Sequence, residues 1–469
     1  MASSGSFETV TASFVDYFRS AQPFLSEKIQ LADLRAEGRG RGVVAKSDID
    51  QDEDLFSVSR NGILSAETSD FTRSSEGQQV LADLDDSWLA LILILIYERV
   101  RPDSPWAPYI GTLQDTDLDT LMYWQESDLA ELQASAIQEK IGKIGADETF
   151  RTKIVPSIKN YPNLFPSLGQ SSEEDILAAA HWAGSTIMAY AFDIEKQPSA
   201  QAQDEEGYVS DEEDQFLPKG MVPMADMLNA DADRNNARLF YEEDLVVMRT
   251  IKPVKAGEEL FNDYGPLPRA ELLRRYGYIT DNYAKYDVVE LSTPFIINAI
   301  KSGLSQGHGA QLTDEYLAEI EEALEEKDYW EDGHIISANT EEEDEDPLYP
   351  PALQMLIYRL IAAPGSKYAK RPEKIEPNDR AKMNQAYLAV LQARLQQYGT
   401  SVERDQQILQ QTSPQERRKI QAIQVRMGEK ILLQRAMDHI AGQTSSTNGT
   451  HEDDGDSRPA KRTKLSNGH

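Results

Sequence analysis

Two stretches in the middle of the chain carry the most ordered pattern of the sequence: MVPMADMLNADADRNNARL at residues 221–239 and KAGEELFNDYGPLPRAELLRRYGYI at residues 255–279. Residues 238–241 and 245–251 are rich in apolar side chains and flank an acidic turn, which is the pattern of a β-hairpin. Residues 259–262 follow a Lys-Ala-Gly turn and predict another short strand. The pattern therefore places a small β-structure around the most distinctive residues of the chain.

A second strand-rich zone lies near the N-terminus, and helical sequence separates the two zones. Residues 42–45 and 54–58 predict short strands, whereas residues 118–139 and 172–192 carry helix-forming residues with apolar spacing. Residues 88–97 read WLALILILIY. This run is shorter than the roughly 18 residues of a membrane span and is closed by charged residues, so we predict a buried helix and no membrane partner.

The C-terminal third has the pattern of packed helices. Gly399 predicts the end of one helix. A capping box with proline at the first helical position, Ser413–Glu416, predicts the start of the next, and Gly442 predicts its end. The first of these helices is predicted from apolar residues three and four positions apart, at Met383, Tyr387, Leu388, Leu391, Leu395 and Tyr398.

The charge and the residue types disfavour several function classes. The 469 residues carry a net charge of −33 and include no cysteine, which excludes a disulfide framework, a thiolate zinc site and a cysteine nucleophile. Proteins that bind the phosphate backbone are usually basic, so direct nucleic-acid recognition is disfavoured. The acidic charge favours a basic partner, or it only keeps the protein soluble. Residues 1–11 lack the features of a signal peptide.

Common catalytic motifs are missing from the chain. The six histidines are too far apart in sequence to suggest a metal pair, and HExxH is absent, so no metal site is predicted. Neither a GxSxG elbow nor a Walker loop is present. The glycines of EGRGRGVVAKSDI, residues 37–49, allow the backbone to approach a ligand. This segment is equally compatible with a plain turn between strands.

Three segments together resemble SET domains. The glycine-rich segment 37–49 is similar to the N-terminal SET motif, Asp226–Asn229 to the motif that usually reads Asn-His, and Asn262–Gly265 to the segment with the catalytic tyrosine. Residues 104–113 and 188–192 resemble the class that includes the Rubisco large-subunit methyltransferase. Within this class, the sequence is most similar to the fungal ribosomal lysine methyltransferases and to SET domain-containing protein 6.

The resemblance implies an α+β fold in which a SET domain of short β-sheets is interrupted by a helical insert and followed by an all-helical C-terminal domain. We place the SET domain at residues 20–281, with the insert at about residues 80–215. The helical, substrate-binding domain then occupies residues 282–442. Residues 443–469 are polar and without apolar periodicity, so we expect a disordered tail.

The resemblance also implies methyl transfer from S-adenosyl-L-methionine to a lysine of a protein, with Tyr264 and Tyr276 as catalytic tyrosines. Trp106 and Asp226 are expected on the substrate side. Each of these residues also has a structural explanation, since the aromatic rings would fill the core and the polar groups would serve a turn. The residues expected to bind the cofactor are Gly40, Arg41, Gly42, Tyr190, Asn229, Ala230 and Tyr276.

One position departs from the pattern of the family. Most relatives have histidine after the motif asparagine, where this chain has Ala230. The loss of one neutral hydrogen bond costs about 0.5–1.5 kcal/mol, so cofactor binding would weaken several-fold without being abolished. The backbone groups of Ala230 remain available. Because the ribosomal subgroup shares this alanine, we interpret it as a trait of the subgroup.

The tail and the charge indicate a substrate and a location. Residues 459–466, PAKRTKLS, form a basic cluster that is typical of a nuclear localisation signal read by an import receptor, with an inert basic tail as the alternative. Ribosomal proteins are basic and pass through the nucleus, so the leading hypothesis is a methyltransferase for a ribosomal protein, of the large subunit. The alternatives are a histone or transcription factor as substrate, and a weakly catalytic module that binds basic peptides.

Overall fold

The structure is a computed structural model that describes residues 6–37, 39–84, 86–114, 118–194, 218–303, 312–338, 346–362 and 377–448. The chain divides into two compact units. The first unit comprises Met1–Asp287 together with Gln407–Arg426, and the second comprises Val288–Gln406 together with Met427–His469. The return of Gln407–Arg426 to the first unit is a feature that the sequence did not predict.

The first unit contains two four-stranded sheets and one two-stranded sheet. The strand order is β1-β4-β9-β8 in one four-stranded sheet, β2-β3-β10-β7 in the other, and β5 pairs with β6. Every described pair is antiparallel except β10 with β7, which is parallel. The strands are β1 (Phe24–Leu25), β2 (Ile29–Asp33), β3 (Arg41–Ala45), β4 (Asp54–Ser59), β5 (Ala191–Asp193), β6 (Lys219–Met221), β7 (Asn229–Ala230), β8 (Ala237–Tyr241), β9 (Leu245–Thr250) and β10 (Glu259–Asn262).

The strands predicted from the sequence are confirmed. Strands β8 and β9 form the predicted hairpin, with Ala237 opposite Thr250 and Tyr241 opposite Val246. Strands β3, β4 and β10 lie where the short apolar runs predict them, and the residues of β10 are buried throughout. Such short strands are stabilised by this burial as well as by their hydrogen bonds, because apolar side chains are removed from water when the strands pack.

Helices alternate with the strands of the first unit along the chain, and the most apolar of them is buried as predicted. Helix α3 (Ser87–Val100) begins after Asp86, whose side chain accepts a hydrogen bond from the Leu89 amide, and its residues from Leu89 to Ile96 are all buried. No helix among the described residues is long and apolar enough to cross a membrane. The helices are α1 (Phe7–Ala21), α2 (Ser75–Leu84), α3 (Ser87–Val100), α4 (Ala107–Gln114), α5 (Glu126–Leu129), α6 (Lys143–Thr149), α7 (Val155–Asn160), α8 (Glu173–Tyr190) and α9 (Arg269–Tyr276).

The prediction of a helix over residues 118–139 is wrong, whereas the prediction over residues 172–192 is confirmed by α8. The first stretch consists of α5 and short 3₁₀ turns. Thr120 has extended backbone, and Gln133 has a φ of 52°, so neither residue can continue a helix. By contrast, Ser172 and Asp175 form a reciprocal capping box at the start of α8.

The returning segment Gln407–Arg426 completes a hydrophobic cluster of the first unit. Its Ala422 and Val425 are buried against Leu121, Trp124, Leu132, Ile137 and Leu273. Arg418 donates to Asp119 at 2.7 Å and to Asp128 at 2.7 Å. The C-terminal part of the chain is therefore part of the packing that supports α9.

The second unit is mostly helical, which confirms the fold class, but it also contains a two-stranded sheet that an all-helical domain lacks. Strand β11 (Val288–Ser292) pairs antiparallel with β12 (Gly333–Ser337), and Leu291 and Ile336 of this pair are buried. The helix predicted from apolar residues 383–398 corresponds to α13 (Pro377–Gln396), which ends before Tyr398 and three residues before the predicted end at Gly399. The helices are α10 (Thr293–Gly303), α11 (Asp314–Glu325), α12 (Pro351–Ile361), α13 (Pro377–Gln396), α14 (Val402–Gln411) and α15 (Arg417–Asn448). Both α14 and α15 run across the division between the units.

The second unit contains a fully buried ion pair. Lys430 of α15 pairs with Asp405 of α14, and both side chains are completely excluded from water. The Lys430 ammonium also donates to the Thr400 carbonyl oxygen at 2.9 Å. A buried ammonium needs such partners, because an unpaired charge in the core costs several kcal/mol.

The predicted bounds of the last helix need two corrections. Helix α15 begins at Arg417, although the Glu416 carboxylate does accept from the Ser413 amide at 3.0 Å. It continues past Gly442 to Asn448, because an isolated glycine lowers helix stability by only about 1 kcal/mol and does not stop a helix by itself. The expected disordered tail therefore begins inside a helix, and its part from residue 449, with the basic cluster, lies outside the described residues.

Candidate active site

Strand pairing brings the predicted cofactor residue Asn229 and the predicted catalytic residue Tyr264 together. Strands β7 and β10 lie side by side, with Asn229 opposite Phe261 and Ala230 opposite Asn262. Tyr264 lies two residues after the end of β10, and its hydroxyl donates to the Leu228 carbonyl oxygen at 3.4 Å. Residues from two distant segments of the sequence thus converge at one end of the second sheet.

Tyr264 and Tyr276 form a stacked pair at this end. Their ring centroids are 4.4 Å apart and the rings are nearly parallel, at 13°. Tyr276 is the last residue of α9, and the chain turns at Gly277, which has a φ of 75°. A Cβ atom at Gly277 would lie 2.7 Å from the backbone carbon of Asp119, so this turn requires glycine. After the turn, the ring of Tyr278 lies 6.3 Å from that of Tyr276.

The tyrosine hydroxyls of this cluster stay protonated at neutral pH. Burial raises the pKa of Tyr264 well above its ordinary value of 10, and the neighbouring hydroxyls of Tyr278 and Tyr276 raise it further. Burial likewise raises the pKa of Tyr276 and of Tyr278. Tyr190, at the end of α8, is close enough to contribute to the shift at Tyr264. The cluster therefore offers neutral hydroxyl groups and aromatic faces, both of which suit an amine or a methylated ammonium.

The glycine-rich segment lies on the other side of Asn229. Gly40 has a φ of 73° and no atom within 4 Å of a would-be Cβ, so its backbone is open on that side. Gly42 is buried in β3, and the Asn229 amide nitrogen lies 3.1 Å from where a Cβ of Gly42 would be. The same nitrogen donates to the Arg41 carbonyl oxygen at 3.4 Å. The glycines therefore let this strand approach the asparagine closely.

The side chain of Arg41 points away from this place. Its guanidinium lies 4.3 Å from the centroid of the Phe7 ring and donates to the Thr11 hydroxyl at 3.3 Å and to the Thr112 carbonyl oxygen at 3.4 Å. Arg41 thus fixes strand β3 against helices α1 and α4. Only its backbone faces Asn229.

Asp226 is a buried carboxyl group with one unsatisfied oxygen. Its Oδ2 accepts from the Tyr109 hydroxyl at 2.6 Å, whereas its Oδ1 has no hydrogen-bond partner within the described part of the chain. Burial raises the pKa of Asp226 to about 7, although the Tyr109 hydrogen bond opposes this shift. Trp106 is buried, and its ring meets that of Tyr109 edge-on at 6.5 Å. The two predicted substrate-side residues are therefore linked through Tyr109.

Comparisons with known proteins match both parts of the chain. The model of the SET domain matches residues 40–265, and that of the Rubisco LSMT substrate-binding domain matches residues 312–433. Residues 40–265 are thus similar to the SET-domain family. The resemblance to the Rubisco large-subunit methyltransferase class that the sequence predicts is confirmed by this pair of matches in the same order.

Several proteins to which this chain is similar are named as lysine methyltransferases. Ribosomal lysine N-methyltransferase 4 of Saccharomyces cerevisiae is 35% identical over 303 residues, which cover 63% of this chain and 60% of that protein. The Schizosaccharomyces pombe protein of the same name is 29% identical over 56% of this chain and 65% of its own length. N-lysine methyltransferase setd6 of Xenopus laevis is 33% identical over 50% of each chain. The matches thus span less than two thirds of these relatives.

Solved structures support the same fold. The structure of Rubisco LSMT bound to sinefungin and monomethyllysine superposes with a TM-score of 0.68 at 20% identity, covering 93% of this chain and 92% of that chain. The structure of Rubisco LSMT bound to AdoMet gives a TM-score of 0.66, also at 20% identity, covering 95% of this chain and 97% of that chain. At this level of identity the likeness establishes the α+β architecture.

Most of the predicted site residues of the SET domain lie in one region, and their roles stay predictions. Sequence reasoning missed four further residues of this region. Tyr278 and Glu259 stand within the quoted stretch 255–279, so their position in the sequence was a signal that they lie near the site. Tyr109 stands in the stretch 104–113, but its partner Asp226 is distant in the sequence. Tyr283, which is near enough to Tyr264 to raise the pKa of Tyr264, lies outside the quoted stretches. Among the described residues, no cluster of three or more histidine or acidic side chains is arranged to hold a metal.

Proposed function

We propose that this SET-domain protein is an S-adenosyl-L-methionine-dependent protein-lysine N-methyltransferase that acts on a ribosomal protein of the large subunit. The observation that carries the proposal is the convergence of Asn229 with the stacked pair Tyr264 and Tyr276. The names of the yeast relatives support the ribosomal substrate. A basic ribosomal protein also suits the net charge of −33, because opposite charges accelerate encounter.

The residues at the glycine-rich segment fit a cofactor with an amino-acid moiety. The backbone near Gly40 is open, and the Asn229 amide lies beside it. Backbone groups of residues 40–42 and the side chain of Asn229 would hold the cofactor, and the backbone of Ala230 would add a contact that needs no side chain. When bound, S-adenosyl-L-methionine supplies a sulfonium methyl carbon that an amine can attack in line.

The tyrosine cluster would prepare the target lysine. A free lysine has a pKa of about 10.4 and is therefore charged at neutral pH, and a charged amine has no lone pair for the attack. An environment of buried aromatic rings disfavours the ammonium form and so favours loss of its proton. The protonated hydroxyl of Tyr264 and the carbonyl oxygen of Leu228, which lie 3.4 Å apart, would orient the neutral amine.

Two measurements test this proposal. Calorimetry with S-adenosyl-L-methionine should give saturable binding, and a tritiated cofactor should label a large-subunit ribosomal protein in a lysate that lacks the endogenous enzyme. Labelling of a histone or a transcription factor instead would contradict the ribosomal substrate and support the alternative one. No binding at millimolar cofactor would favour a module that only binds basic peptides.

Replacement of the proposed catalytic tyrosine provides a sharper test. We expect Tyr264→Phe to lower kcat about 10–100-fold while the cofactor Kd changes less than about twofold, because roughly 1.4 kcal/mol of transition-state stabilisation corresponds to each factor of ten. Tyr241→Phe is a matched control, since this hydroxyl donates to the Asp193 carbonyl oxygen in another sheet. Full activity of Tyr264→Phe would remove the catalytic assignment.

We also propose that the protein is imported into the nucleus through its basic C-terminal cluster. Four basic residues, Arg458, Lys461, Arg462 and Lys464, stand close together in an otherwise polar segment. A fluorescent fusion should concentrate in the nucleus, and replacing the four residues by alanine should spread it through the cell. An unchanged distribution of this variant would assign the cluster no role in import.

A further inference from the structure

We infer that Glu259 is a positioning residue that sets the orientation of the Asn229 amide, and thereby the chemical group of the cofactor that this amide can bind. The inference rests on the proposed function, because it concerns the same cofactor site. Glu259 is the first residue of β10, and it has no part in the roles assigned above.

The carboxylate of Glu259 is held in place on both sides. Its side chain is only 6% exposed and forms an ion pair with Arg39 through Oε2. Its Oε1 accepts a hydrogen bond from the Asn229 amide nitrogen at 2.7 Å. The buried charge is thus compensated by the guanidinium, and its other oxygen is directed at the asparagine.

The space for this contact is provided by Gly42. A Cβ atom at Gly42 would lie 2.7 Å from Glu259 Oε1 and 3.1 Å from Asn229 Nδ2. A side chain at this position would therefore push the hydrogen-bonded pair apart. The buried glycine of β3 and the glutamate of β10 belong to one arrangement around the asparagine.

The arrangement decides which end of the amide remains for a ligand. A carboxylate can only accept hydrogen bonds, so Glu259 must face the NH₂ group of Asn229 and not its oxygen. The same NH₂ group also donates to the Arg41 carbonyl oxygen at 3.4 Å. Asn229 then has only Oδ1, an acceptor, to offer to the cofactor. An acceptor suits the ammonium group of an amino-acid moiety and repels its carboxylate.

The consequence is measured as cofactor affinity. We expect Glu259→Ala to raise the Kd for S-adenosyl-L-methionine about tenfold, because the amide loses its fixed orientation. Glu259→Gln should give a smaller loss than Glu259→Ala, since the oxygen of glutamine can still accept from Asn229 although its NH₂ group then faces Arg39. Glu258→Ala is the matched control: this neighbouring glutamate is exposed and accepts from the Lys255 amide in the turn.

A double variant separates positioning from a general structural effect. If Glu259 acts through Asn229, Glu259→Ala should change the Kd less than twofold in an Asn229→Ala background. An undiminished tenfold effect in that background would overturn the inference. If Glu259→Ala does not fold, Glu259→Asp replaces it, and a loss of affinity is again expected because the shorter side chain withdraws its oxygen from the Asn229 amide.

The outcome also distinguishes this inference from the proposed function. A wild-type protein that binds no cofactor at millimolar concentration overturns the proposed function. A wild-type protein that binds, together with a Glu259→Ala variant of the same melting temperature that binds within twofold, overturns the role of Glu259 alone.

Discussion

The buried carboxyl group of Asp226 predicts an unusual dependence of stability on pH. Its folded-state pKa is raised from 3.8 to about 7, so the folded protein binds a proton at Asp226 between these values while the unfolded chain has lost it. The free energy of unfolding that Asp226 contributes is therefore fully present below about pH 4, and it is lost as the pH rises through 7. The slope in this window is about −1.4 kcal/mol per pH unit, and the total is of the order of 4 kcal/mol.

The variant Asp226→Asn isolates this contribution. It keeps the size of the side chain and an oxygen for the Tyr109 hydroxyl but does not titrate. We expect the wild-type free energy of unfolding, relative to the variant, to fall by about 1.4 kcal/mol per unit between pH 5 and pH 7 and to level off above pH 8. Urea titrations followed by tryptophan fluorescence are suitable, because four of the five tryptophans, Trp88, Trp106, Trp124 and Trp182, are in the first unit.

The exposed carboxyl group of Asp48 supplies the control. A hydrogen bond from Lys255 holds the pKa of Asp48 below its ordinary value, so it titrates below this pH range. Asp48→Asn should therefore shift stability by the same amount at every pH from 5 to 8. If the difference between the wild type and Asp226→Asn is equally flat, Asp226 is charged throughout and the reasoning about its burial is wrong.

Two further predictions concern stability. Lys430→Met should lower the free energy of unfolding by about 3–5 kcal/mol, since it removes the counter-charge of the buried Asp405 carboxylate. Lys382→Met, at a pair whose lysine is exposed, should cost about 1 kcal/mol or less. Equal midpoints of the two variants in urea would refute this. Gly277→Ala should cost about 2–3 kcal/mol because of its positive φ and the close backbone of the neighbouring turn, while Gly145→Ala, which meets no atom within 4 Å, should not destabilise. Thermal melts should show a lower melting temperature for Gly277→Ala and not for Gly145→Ala; equal melting temperatures would contradict this.

Local sequence patterns predicted the elements of the fold that depend on near neighbours. The hairpin β8–β9 and the buried helix α3 follow from the spacing and length of their apolar runs, which are visible without knowledge of the rest of the chain. The stretch 118–139 misled the prediction, because its residues favour a helix but its polar caps and the bend at Gln133 do not. The preference of these residues for a helix and the preference of a few positions for a turn are similar in free energy, so composition alone does not show which one prevails.

The candidate site could be predicted only where the motifs themselves contain its residues. Asn229, Tyr264 and Tyr276 stand in the quoted stretches, and the structure joins them through β7, β10 and α9. The Tyr109–Asp226 hydrogen bond links residues 117 positions apart, and the Asn229–Glu259 hydrogen bond depends on the strand register. Such pairings are set by tertiary packing, which leaves no mark in the spacing of either residue.

The returning segment Gln407–Arg426 has a consequence for biosynthesis. Its Gln421 side chain donates to the carbonyl oxygen of Gly277 at 3.4 Å, directly after the tyrosine that ends α9. A nascent chain that has been synthesised only as far as Asp287 therefore lacks the segment Gln407–Arg426, which belongs to the packing of the first unit. The hydrophobic cluster under α9 can therefore close only after residues 407–426 have been synthesised.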